Sequence, residues 1–469
     1  LDWRVAWARA GIALGAVVVG LVALSGGHGD DPRTPVGLPG LPAPLFGTAV
    51  IGDGGRAAAV DAYGDVVDLR APGPAGRPLV AVSSKRQGVG SVPASSAIVA
   101  HARLRDGHTL PLWAADSVRQ SYIPGTNVLR TVARFGDERW VVVRRAGGRD
   151  EIAADRRWLG RARPLGPGAP RWARAMYRRS LLVLRALTDR LTGAVAAGAR
   201  DSWAYVWPRD AAAVAMALAA AGYDAEVRRI VRFLLDLDLN TAARFNGAGE
   251  PVPGRAAQGD AAGWVATAAH AVGLKSPRSA GLADIRQTTD PWQWLDRADY
   301  QEGEAGDYLG NAIAAGANLD SFETGSGLVR VAEEPGSGPD SAAAWAVRPF
   351  PRPALYPTVR RSLFRLVTAR GTRFGLLPSQ NWQGGDEPWT APTAWTAWAL
   401  ATLARHDNGL QEHRDRRAAL DLLADLRRAA TPLGLLPERV DAQTGMPTST
   451  TPLAWSHAFA ILALRAVWR

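Results

Sequence analysis

Glu438 follows Pro437 in the stretch GLLPERVDAQTGMPTSTTPLAWSHA, Gly434 to Ala458. A Gly, Pro and Thr-rich loop comes next. Pro452 then opens an apolar helix with Trp455, Ser456 and His457 in its first turn. A glutamate on a loop end beside a tryptophan suits sugar hydrolysis. The carboxylate handles a water, and the indole face packs on sugar C–H groups. A second constellation lies upstream in AYVWPRDAAAVAMALAAAG, Ala204 to Gly222. Pro208 suits a first helical turn, where its missing N–H costs nothing. Trp207, Arg209 and Asp210 stand at that helix mouth, and an Arg fork with a carboxylate grips vicinal hydroxyls. The plainer reading is that Asp210 caps the helix and Arg209 pairs with it. For Glu438 the plainer reading is an exposed turn glutamate paired with Arg439. NWQGGDEPWTAPTAW, Asn381 to Trp395, adds Trp382 and Trp389 on a Gly-rich loop before a helix. They suit a sugar platform and equally a packed loop.

These residues must be positioned by elements that the hydrophobic pattern outlines. From about residue 176 the period is helical. The clearest helices run over 174–187, 208–222, 225–237, 264–272, 309–319, 358–369, 392–405, 414–429 and 452–468. Weaker patterns cover 281–297 and 340–347. Some are apolar all round and others carry Arg on one face, as inner and outer helices of one body do. A succession of helices without strands excludes a parallel α/β barrel. The expected fold class is mainly α over residues 176–469, and the helix count nearly matches the six pairs that an (α/α)6 toroid needs. Residues 46–150 read differently. Short alternating runs such as TAVIG, NVLRTVARF and RWVVVRRA, broken by Gly and Pro, predict an antiparallel β-sandwich. Residues 151–175, rich in Arg, Gly and Pro, read as a linker.

The N-terminal residues 1–25 carry Arg4 and Arg9 before the uncharged apolar run Ala10 to Leu24. That pattern is an export signal or, uncleaved, a membrane anchor, with the rest of the chain outside. Residues 26–45, rich in Gly, Pro and Asp, form a tether. The chain is thus expected to be exported, either secreted or held on the outer face of the cell membrane. That it opens on Leu rather than Met fits an alternative start codon or a truncation.

Composition narrows the function classes. The formal charge is +11, yet 53 of the 55 basic residues are Arg, in a chain also rich in Ala, Gly and Pro. That is the mark of GC-rich coding, and the Arg are interspersed with Asp and Glu, so no nucleic-acid partner is expected. There is no Cys, which excludes disulfides and thiolate metal sites. The seven His show no metal-binding spacing, and no phosphate loop or dinucleotide fingerprint is present. No motif calls for a metal or organic cofactor. Trp is over-represented, with 18 against 9 Phe and 8 Tyr, which fits carbohydrate contact or the core of a helical ring.

In chain order, YRRSLLVLRAL (Tyr177 to Leu187), YVWPRDA (Tyr205 to Ala211), DEPW to TAW (Asp386 to Trp395) and LPE to PLAWSHA (Leu436 to Ala458) resemble glycoside hydrolase family 15 in its bacterial form. The resemblance covers residues 170–469 well and 40–150 weakly. It implies an inverting, exo-acting hydrolase that releases glucose from the non-reducing end of an α-glucan or α-glucoside, with an oligo- or polysaccharide as its partner. It implies Glu438 as general base and a β-sandwich packed on the catalytic domain. ADYQEGEAGDYLGNAIAAGANL, Ala298 to Leu319, matches the family's acid segment, with Glu302 as proton donor, Glu304 as competitor, and Gln301 where Trp is usual. An apolar neighbour helps raise an acid's pKa, so Gln301 implies altered specificity, a hydroxyl contact or lost turnover. The catalytically impaired sugar-binding relative is thus the alternative. RFNGAGEPVPGRAAQGDAAGW, Arg244 to Trp264, resembles a loop whose Gln258, Asp260 and Trp264 reach the pocket, though Asp260 also fits as a helix N-cap. The family's Arg before the 381–395 loop is missing, and the nearest here is Arg373.

Overall fold

The computed structural model describes residues 48–81, 97–255, 257–274, 308–380, 382 and 385–469. Within them the chain is mainly helical, with a small antiparallel sheet region at its N-terminal side. Strands β1 (Ala49–Gly52), β2 (Ala57–Val60), β3 (Val66–Ala71) and β4 (Arg77–Ala81) form one antiparallel sheet in sequence order. β5 (His101–Arg103) and β6 (Thr109–Pro111) make a hairpin, while β7 (Ser117–Tyr122), β8 (Leu129–Phe135) and β9 (Glu138–Arg144) form a three-stranded sheet. Register in the last sheet sets Val132 opposite Val141 and Ala133 opposite Trp140. Ala133 faces a small core with Tyr63, Ala100, Ala102 and Leu112.

The sheets are welded to the helical body. Gly52 lies so close to helix α2 (Arg171–Leu187) that an added Cβ would meet Ala186 at 2.8 Å, so only glycine fits there. Asn127 donates through Nδ2 to the Leu182 carbonyl at 2.8 Å, and its own N–H donates to Asp155 Oδ2 at 2.7 Å. Arg185 closes the link on Asp155 Oδ1 at 2.9 Å. Asp155 belongs to helix α1 (Glu151–Gly160), which occupies part of the segment expected as a linker. That expectation is corrected by a periodicity hidden under the Arg and Gly content. Glu151, Asp155, Trp158 and Leu159 recur on one buried face, and Trp158 stacks on Tyr223 at 4.1 Å.

The remaining helices are α2 (Arg171–Leu187), α3 (Pro208–Ala221), α4 (Asp224–Leu235), α5 (Ala261–His270), α6 (Leu309–Ala315), α7 (Tyr356–Arg370), α8 (Thr390–Leu403), α9 (Leu410–Ala429) and α10 (Ala454–Val467). The segment expected over 340–347 is a 3-10 helix, Ser341–Ala346, whose first turn is capped by Asp340. The segment expected over 281–297 lies outside the described residues. Two hairpins, β10 (Glu323–Thr324) with β11 (Gly327–Leu328) and β12 (Gly371–Thr372) with β13 (Gly375–Leu376), interrupt the helices, where an unbroken helical run was expected.

α3, α8 and α10 are buried almost throughout, whereas α4 buries Val227, Ile230, Val231 and Leu234 and leaves Arg228 and Arg232 in water. Among the apolar elements, α3 packs on α5, α5 on α6, α6 on Ser341–Ala346, that segment on α8, α8 on α10, and α10 on α3. α4, α7, α9 and α2 each pack against one or more of these elements. Aromatic side chains fill the middle edge-on. Trp264 meets Trp345 at 4.8 Å, Trp345 meets Trp395 at 5.6 Å, and Trp395 meets Trp455 at 5.3 Å and Phe459 at 5.3 Å. Trp264, expected at the pocket, is part of this packing.

Candidate active site

Glu438 is held by backbone on every side. Its N–H donates to the Thr450 carbonyl at 2.9 Å, and its own carbonyl accepts from Thr390 N–H at 3.0 Å. Two residues earlier, Leu436 N–H donates to His457 Nε2 at 3.0 Å. The loop is thereby pinned to the first turns of both α8 and α10. The side chain is only 4% exposed. Trp203 Nε1–H donates to its Oε1 at 3.2 Å, and Ser449 Oγ–H donates to Oε2. Both carboxylate oxygens thus have a donor, which fixes the plane of the group. The exposed ion pair with Arg439 does not form. Arg439 turns to Glu387 at 2.8 Å.

Arg209 is the hub of the second constellation. Its side chain is 2% exposed. Nη1 binds Asp260 Oδ2 at 2.9 Å, Nε lies 3.8 Å from Asp210 Oδ2, and the guanidinium stands 4.7 Å from the Trp455 ring. Asp260 is fully buried and makes no side-chain cap, so its charge serves Arg209 rather than helix α5. Trp207 is the N-cap residue of α3 and is buried, with Arg244 5.9 Å from its ring. Burial drives the Asp210 carboxyl up to about 7; Arg209 opposes the shift, while the charges of Glu438 and Asp260 reinforce it. Asp210 and Glu438 are thus near enough for the charge of one to act on the other. Among the described residues, neither amide atom of buried Gln258 nor Oδ1 of Asp260 has a hydrogen-bond partner. Buried polar atoms left open in this way mark where a polar ligand or ordered water completes a site.

Trp382 and Trp389 meet edge-on at 5.4 Å, and neither indole N–H has a partner among the described residues. Trp389 also forms a bridge to Arg439, so this pair abuts the Glu438 loop. Glu302, with Gln301 and Glu304, lies outside the described residues. Arg373 is exposed; its carbonyl accepts from Arg428 and its guanidinium lies 5.6 Å from the Phe374 ring. The buried cation on this side is Arg330, 5.9 Å from the Trp382 ring and 3.6 Å from Asp340 Oδ2. Sequence reasoning missed Arg330, Trp203 and Ser449. Only Trp203 carried a signal, its place four residues before Trp207 in an aromatic run.

His457 is the support behind Glu438. Leu436 N–H is a donor, so Nε2 is the unprotonated nitrogen and Nδ1–H donates to Ser180 Oγ at 2.9 Å. Burial holds this imidazole down to about 3. The folded state keeps it neutral while the unfolded chain protonates near 6.5. Its contribution to stability is therefore complete above pH 6.5 and lost as pH falls toward 3, at about 1.4 kcal/mol per pH unit. Asp210 acts with the opposite sign, since its raised pKa favours the folded state below pH 4 and loses that effect as pH rises to about 7. Comparing urea unfolding of wild type with His457→Gln at pH 7, 6 and 5 isolates the histidine. The wild-type advantage is expected to shrink with acid, and a pH-independent difference contradicts the assignment.

The model for glycosyl hydrolases family 15 matches residues 171–259, the stretch that carries Trp207, Arg209, Asp210 and Gln258. The chain is similar to family 15 glycoside hydrolases. Among solved structures, a glycosidase variant superposes with a TM-score of 0.51 at 19% identity, covering 63% of this chain and 97% of that one. A bacterial glucoamylase complexed with acarbose superposes with a TM-score of 0.51 at 15% identity, covering 68% of this chain and 58% of that one. Likeness at such identities speaks to the fold of this family 15-like protein. No curated protein matches the sequence.

Proposed function

We propose that this family 15-like protein is an inverting, exo-acting hydrolase that releases glucose from the non-reducing end of α-glucans or α-glucosides. The observation that carries the proposal is the Glu438 carboxylate. It is buried, each of its oxygens is held by a donor, and its charge is felt by Asp210 beside Arg209 and Asp260. A carboxylate so fixed can take the proton of a water as that water attacks the anomeric carbon. Glu302 is proposed as the acid that protonates the leaving oxygen, across a gap of about 6.5–9.5 Å that inversion requires. Arg209, Asp210, Asp260 and Gln258 would bind the hydroxyls of the terminal sugar, and Trp207, Trp455, Trp382 and Trp389 would line its faces.

An (α/α)6 toroid is the proposed frame. The closed order of six apolar elements around an aromatic centre supports it. The β-sandwich is likewise proposed, and the antiparallel sheets of residues 49–144 would be its strands. Export, with a tether at the outer membrane face, is proposed from the 10–24 run, which lies outside the described residues. Among those residues no helix is long and apolar enough to cross a membrane.

Incubation with maltose, isomaltose and trehalose, followed by NMR of the first-formed anomer, tests the reading. Release of β-glucose from at least one substrate is expected. Absence of turnover on all three, with sugar binding retained, would establish the impaired relative instead.

A further inference from the structure

Trp203 reaches Glu438 from a segment with an unusual backbone. Asp201 holds φ at 54°, the left-handed region that a residue with a Cβ seldom enters. It begins the 3-10 turn Asp201–Trp203. Such a conformation persists only where its surroundings enforce it. Here the enforcing group is Arg200, whose side chain is 1% exposed and whose Nε donates to Asp201 Oδ2 at 2.9 Å. Behind the turn, Gly198 N–H donates to the Trp203 carbonyl at 2.8 Å, and Gly198 bridges to Leu453 at the mouth of α10. An added Cβ at Gly198 would meet both Trp203 Cβ and Thr450 Oγ1 at 2.9 Å, so the turn is pressed against the loop that carries Ser449 and Thr450. Arg200 also bears electrostatically on two carboxyls of the sheet region, those of Asp61, after β2, and Asp68, in β3. Asp68 is in turn bound by Arg70 at 3.0 Å.

We propose that Arg200 and Asp201 are positioning residues for the proposed hydrolysis: their ion pair holds the turn that aims the Trp203 indole at the Glu438 carboxylate. Neither residue is proposed to touch substrate. Their effect passes through one N–H bond, so it belongs in kcat rather than in sugar binding.

The proposal rests on the catalytic reading of Glu438, and its test separates the two. Asp201→Asn keeps a residue tolerant of the left-handed region and removes the ion pair. Arg200→Lys keeps the charge toward Asp61 and Asp68 but loses the guanidinium fork, and serves if Asp201→Asn fails to fold. With the substrate found above, kcat is expected to fall about 10-fold to 100-fold while KM stays within about twofold, since small misplacements of a reacting group cost up to 10²-fold. A second readout needs no turnover. The 15N-indole resonance of Trp203, assigned through Trp203→Phe, should shift on Glu438→Gln in the wild-type background and stay put on the same change in Asp201→Asn. Loss of that coupling supports the brace even if the wild type hydrolyses nothing, in which case the catalytic reading alone fails. Coupling that survives in Asp201→Asn overturns the brace, whatever happens to kcat.

Discussion

Glu438→Gln is expected to lower kcat by about 10³-fold, within the 10²–10⁴-fold range that general acid–base groups supply. KM should stay within a few-fold, and the variant should fold. The substitution is isosteric. One amide oxygen still accepts from Trp203 Nε1–H, and the Ser449 hydroxyl can rotate to accept from the new NH2 group. The backbone bonds of residue 438 to Thr450 and Thr390 do not involve the side chain. Steady-state kinetics with circular dichroism separate loss of the base from loss of the loop. A variant that keeps more than a tenth of wild-type kcat would remove Glu438 from the chemistry.

Arg209→Ala is expected to be the most destabilising single change in the site, by about 3–5 kcal/mol at neutral pH, the usual cost of stranding a buried charge. Arg209 is shared by Asp260 and Asp210, and both are buried. Without it the two carboxyls repel, and Asp210 loses the one charge that lowers its pKa. Protonation relieves that repulsion, so the penalty should be smaller at pH 5 than at pH 8. Arg209→Lys should fall between, because an ammonium keeps the charge but cannot match the fork to two carboxylates. Urea unfolding of the three proteins at both pH values measures this. A loss below about 1 kcal/mol, or one independent of pH, would mean that the cluster is solvated or neutral and that Arg209 is not its hub.

Much of the helical body was legible in local pattern. Pro208 marks the first turn of α3 as expected, and Gly222, at a φ of 92°, ends it. The helices expected over 225–237 and 414–429 run over Asp224–Leu235 and Leu410–Ala429, because a helix end frays and its pattern spreads over a turn. β7, SVRQSY, was not foreseen. Its alternation is carried by Val118 and Gln120 rather than by a hydrophobic series, and it pairs through backbone to β8. Helix α1 was hidden by composition, since Arg156 and Arg157 point to water while Trp158 beside them is buried. Tryptophan count proved a poor guide to place. Trp264, Trp345 and Trp395 pack edge-on in the core, while Trp203, given no role from sequence, reaches Glu438.

Sequence alone determined most of the helices after residue 170, that Asp210 and Glu438 sit beside helix mouths, and that Trp207, Arg209 and Asp210 share one such mouth. These are properties of neighbours within a turn or two, where periodicity and capping chemistry act. Which partner each group takes was decided only by the tertiary structure. Arg209 leans on Asp260, 51 residues away, more closely than on adjacent Asp210, and Glu438 faces Trp203, 235 residues upstream, rather than Arg439 beside it. Inside a packed body, a buried charge must take whichever counter-group the closing elements bring within reach. That choice depends on how distant helices meet, which short spacings do not encode.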